Sequence, residues 1–124
     1  MIEVALAVIY VGIIFYTGLI RIGALPEVGL VPTDKLLHAV VFGGLVVLLV
    51  RALRVLWPLS SASQLLLTSV GVASFLGAAL EVCQSFVPYR SAEVLDWVAD
   101  TVGAVLAAAL LALLSRLTRR HAFD

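Results

Sequence analysis

Eight polar residues of this 124-residue chain stand at intervals that suit chemistry: Asp34, Lys35, His38, Glu81, Gln84, Arg90, Asp96 and Asp100. Asp34 and His38 are four apart, Glu81 and Gln84 three apart, and Asp96 and Asp100 four apart. On an α-helix those intervals place both side chains on one face. Imidazole and carboxylate are common proton carriers in catalysis, so His38 and Glu81 are the candidate acid and base. Arg90 and Lys35 suit an anion, the guanidinium through two parallel N–H donors. Asp34, Gln84, Asp96 and Asp100 complete the candidate binding set. A metal held by His38, Glu81, Asp96 and Asp100 is chemically feasible. One histidine gives it little support, and neither metal nor other cofactor is expected.

The elements that must position these groups are apolar. Hydrophobic residues make up 63% of the chain and charged residues 13%, about half the charged share of a soluble domain. Eight basic and eight acidic residues balance to zero, which argues against nucleic-acid binding or a strongly charged docking surface. Val4 to Ile20, Leu36 to Val50, Gln64 to Val82 and Val98 to Ser115 are apolar runs. Each approaches the roughly 20 residues a helix needs to cross a bilayer. The second reaches full length only if His38, Arg51 and Arg54 lie inside the membrane boundary and the arginines snorkel outward. The first starts with Glu3 rather than a basic group and reads as a retained span rather than a signal peptide.

Breaks are expected at Gly23 to Asp34 with Pro26 and Pro32, at Trp57 to Ser63 with Pro58, and at Pro88 to Ala92, because proline removes a backbone donor. The expected fold is therefore all-α, a compact bundle of four transmembrane helices with antiparallel neighbours. Ala73 with Gly77 and Ala104 with Ala108 are small pairs at spacing four that let helices approach in lipid. Trp57, Trp97 and Tyr89 read as interfacial anchors, and lone Cys83 as a small buried hydrophobe.

Arg51, Arg54, Arg116, Arg119 and Arg120 fall on one side of the membrane against Arg21, Lys35 and Arg90 on the other, five against three. That bias puts both termini in the cytoplasm and the first and third loops outside. The basic tail, which also carries His121, would contact anionic lipid heads. All eight candidates then share the outer membrane half. In a hairpin of the third and fourth helices Glu81 comes level with Val98, between Asp96 and Asp100. Glu81, six residues before Val87, lies about 9 Å inside its helix, where a bare charge costs at least a few kcal/mol. His38, Lys35 or Arg90, or a proton retained by one carboxylate, would offset that cost. The cluster reads either as a functional site or as an ion-pair network that locks the helices. Thr33 or Asp34 could instead cap the second helix, and first-turn acids favour its dipole.

Asp34-Lys35-x-x-His38, Glu81-x-x-Gln84, Pro88-x-Arg90 and Asp96-x-x-x-Asp100-Thr101-x-Gly103 together resemble the VanZ-like family of bacterial membrane proteins. The resemblance covers about residues 34–110 and makes residues 1–124 one transmembrane domain. The family commonly has asparagine where this chain has Asp100. It is named for a protein linked to low-level teicoplanin resistance, which implies a role at the cell envelope, in the bacterial cytoplasmic membrane. The resemblance singles out Asp34, Lys35, His38, Glu81, Gln84, Arg90 and Asp96, with Gly103 for close helix packing beside them.

Three functions compete. The first is an outward-facing site for an anionic envelope lipid or glycolipid head group, with Arg90 and Lys35 binding it. The second is a non-catalytic accessory subunit of a larger membrane complex. The third, a proton or ion conductor, needs polar groups through the whole membrane, and the other halves of the last two helices offer chiefly Thr68, Ser69, Ser74 and Ser115.

Overall fold

A computed structural model describes residues 1–20 and 33–121, with side chains through Arg119. Arg21, Pro26 and Pro32 lie outside the described residues, as do the side chains of Arg120 and His121. Four helices follow in order, α1 (Ile2–Leu19), α2 (Thr33–Leu56), α3 (Ala62–Ser85) and α4 (Val94–His121), with no strand among the described residues. All four are long and apolar enough to cross a membrane.

Local chemistry sets the ends. Helix α2 runs through both Arg51 and Arg54 and so gains the length its apolar run lacked. Helix α3 opens on a reciprocal cap: the Gln64 N–H donates to Ser61 Oγ at 3.2 Å and the Ser61 N–H donates to Gln64 Oε1 at 2.9 Å. The third break is wider than Pro88 to Ala92, since α3 already stops at Ser85 and α4 starts at Val94.

The chain passes up and down through the bundle. Tyr10 on α1 donates its hydroxyl to Val41 O on α2 at 3.0 Å, and Glu3 meets Arg51 at 3.6 Å, so those two helices are antiparallel. Helices α2 and α4 are parallel, as the order Lys35 to Asp96, His38 to Asp100 and Gly43 to Gly103 shows. They approach most closely at Gly103, where a Cβ would overlap the Ala39 backbone. The tight packing expected there is present.

Phe42, Leu45, Val46, Ala73, Leu80 and Ala104 form the core with Ile14 of α1. The outside stays apolar, with Val8, Val40, Leu67, Phe75 and Leu106 exposed. Such a surface suits hydrocarbon rather than water. Cys83 corrects one expectation, since it is exposed. Glu81 and Gln84 turn their shared face inward, and a residue two positions after Glu81 points roughly the opposite way on a 3.6-residue turn.

Candidate functional site

At the end where α2 and α4 begin and α3 finishes, two trios lie one above the other, one of three carboxylates and one of two carboxylates with an imidazole. The outer trio surrounds an ammonium group. Lys35 Nζ donates to Asp34 Oδ2 at 3.0 Å, to Glu93 Oε2 at 2.6 Å and to Asp96 Oδ1. Asp34 sits in the first turn of α2 and is half exposed, whereas the Asp96 side chain is 12% exposed. Glu93 was not among the sequence candidates. It stands directly before α4, where a carboxylate favours the helix dipole, and that position three before Asp96 was its only signal.

The inner trio is His38, Glu81 and Asp100, each offering a donor atom within 4.8 Å of the others. His38 Nδ1 lies 2.7 Å from Asp100 Oδ1, and its Nε2 lies 3.7 Å from Asp96 Oδ2. Asp100 thus orients the imidazole through one hydrogen bond, and Asp96 faces its other nitrogen across a longer gap. Asp100 is 0% exposed, and its Oδ2 faces Gly77, where a Cβ would stand only 2.7 Å from that oxygen. Glycine makes the niche that accepts the carboxylate. The Glu93 N–H donates to Glu81 Oε2 at 2.8 Å. Glu81 Oε1 and Asp100 Oδ2 are buried with no hydrogen-bond partner among the described residues.

The hairpin register differs slightly from expectation. With Asp100 opposite Gly77, one turn before Glu81, Glu81 lies nearer Asp96 than Val98. Because α3 ends at Ser85, Glu81 is also about 6 Å from its helix end, shallower than the expected depth. Trp97 and Ser74 lock the hairpin, the indole N–H donating to Ser74 O at 3.0 Å while Ser74 Oγ and Thr101 Oγ1 share a bond of 2.9 Å.

Gln84 and Arg90 have a different occupation. Helix α1 ends with four carbonyls that no further turn can satisfy, and unpaired carbonyls are costly in hydrocarbon. Arg90 Nη2 donates to Thr17 O at 3.2 Å, Gln84 Nε2 to Gly18 O at 2.9 Å and the Tyr89 hydroxyl to Leu19 O at 3.0 Å. Arg90 Nε and Nη2 both reach Ile20 O, at 3.2 and 2.7 Å. All four carbonyls are covered. No sequence spacing announces this clasp, because the acceptors are backbone oxygens 66 to 73 residues away.

An open groove runs between α3 and α4. Its walls are Ala78, Val82, Val94 and Trp97, and Glu81 and Glu93 border it. The family model described as VanZ/LLP1 matches residues 4–115. The chain belongs to the VanZ/LLP1 family. The match includes α1 as well as Gln84 and Arg90, the residues whose clasp holds the end of α1. No curated protein and no solved structure matches the chain. As a member of this family with four apolar spans, it is a multi-pass membrane protein.

Proposed function

We propose that this VanZ/LLP1 protein works at the bacterial cell envelope, in the cytoplasmic membrane with both termini inside, and binds the head group of an envelope lipid or glycolipid at its polar outer end. The groove between α3 and α4 carries this reading. Apolar walls that lead to Glu81 and Glu93 suit a molecule with an acyl chain and a polar head.

The chemistry of the head group follows from which charges are already partnered. Lys35 faces three carboxylates, and Arg90 holds the end of α1. An anionic group, expected from the sequence to meet those two cations, would have to displace existing partners. The carboxylates at the groove favour hydroxyl or amino donors on a sugar or amine head group. His38, oriented by Asp100, and Glu81 are the pair through which a proton would pass to or from such a head group.

Native mass spectrometry of the protein released from membranes in mild detergent tests this. A sugar- or amine-bearing lipid should stay bound to the wild type and be lost from Ala78→Trp, which fills the groove while leaving both carboxylates in the chain. Equal retention by both, or retention by neither, overturns the proposal.

A further inference from the structure

The two trios differ in one respect that their geometry makes plain. Each brings three donor atoms within 4.8 Å of one another. The outer one already has its cation, Lys35 Nζ. The inner one has two nearly or wholly buried carboxylates, Glu81 at 8% and Asp100 at 0% exposure, and only an imidazole between them. Asp96 adds a third negative group beside His38 Nε2, and Arg90 is turned away to α1. Buried carboxylates without a counter-charge are expensive in an apolar bundle. Glu81 Oε1 is buried with no hydrogen-bond partner among the described residues, while Asp100 meets His38 through Oδ1 and turns Oδ2 into the Gly77 niche.

We propose that His38, Glu81 and Asp100 hold a divalent transition-metal ion. Two carboxylates and a neutral imidazole would cancel the ion's charge. One nitrogen with two oxygens suits zinc or manganese, whereas magnesium and calcium favour oxygen alone. The spacing is close. Ligand atoms about 2.05 Å from an ion and at the tetrahedral angle lie about 3.3 Å apart, so His38 Nδ1 and Asp100 Oδ1, 2.7 Å apart, need part by only about half an ångström. His38 Nε2 then faces Asp96 Oδ2 at 3.7 Å, the place of a carboxylate that orients a ligating ring from behind. Three protein ligands leave room for an exchangeable one.

This site does not depend on the lipid reading, because the ion binds the protein alone. It does compete with the acid–base role, since the same atoms of His38 and Glu81 would be coordinating. The test is titration of chelator-treated full-length protein in detergent with Co2+ alone, followed by visible absorption and displacement with Zn2+. One ion per chain should bind, with affinity reduced at least about tenfold in Asp100→Asn and in Glu81→Gln. Arg51→Gln, at the opposite end of the bundle where its side chain meets Glu3, should bind as the wild type does. The absence of a Co2+ band, or equal affinity in a folded Asp100→Asn or Glu81→Gln protein, overturns the site. The isosteric Glu81→Gln variant keeps the test decisive if Asp100→Asn fails to fold, with circular dichroism as the check on folding.

Discussion

Asp100 is wholly buried, with one oxygen at His38 and the other against Gly77. The fit leaves little slack. In Gly77→Ala the new Cβ would stand 2.7 Å from Asp100 Oδ2 and 3.2 Å from Asp100 Cβ. The second contact involves an atom fixed to the backbone, so rotation of the carboxylate cannot relieve it. Overpacking of this kind costs about 1–3 kcal/mol, and thermal unfolding in detergent should fall by several degrees. Gly12→Ala is the matched control, because nothing lies within 4 Å of a Cβ there, and its midpoint should hold. Residue spacing revealed most of the inner site, since polar residues at intervals of three and four mark a helix face. It did not reveal Glu93, which lies before its helix, nor Gly77 as the niche for Asp100, because both roles depend on the register between helices.

At the scale of elements, the end of α1 is fastened to α3 by hydrogen bonds as well as by packing. Ile14 enters the core and buried Leu80 lies against Gly18, and the clasp from Gln84, Tyr89 and Arg90 then covers the last carbonyls of α1. Arg90→Ala uncovers Thr17 O and Ile20 O, and each lost partner costs about 1–3 kcal/mol where water cannot replace it. Hydrogen exchange in the last turn of α1 should accelerate strongly, with the α2–α4 contact unaffected. Unchanged exchange in that turn would mean that the clasp carries no weight. The four helices were legible because long apolar runs broken by proline have few other readings. Which face each turns inward was less so. Lipid-facing helices are apolar all round, so periodicity that would mark a buried face in water is weak, and Cys83 was placed on the wrong side for that reason.

For the whole molecule, the ionisable groups divide between two ends. One end has the paired trios and the clasp, and the other has Glu3 with Arg51 and the arginines near the close of α2 and α4. The bundle and its family were readable from composition and motif order. The hydrogen bonds of Arg90 were not, since charge and motif alone suggest an anion site and only the folded chain brings the α1 carbonyls to it. An envelope role requires the trios and the groove to face outward. Labelling with a membrane-impermeant maleimide in intact cells tests that most directly, with Cys83→Ser as background. Ser91→Cys, in the loop between α3 and α4, should be labelled in intact cells, and Leu59→Cys, in the loop between α2 and α3, only after permeabilisation. The opposite pattern would put the polar end in the cytoplasm and contradict an outward-facing head-group site.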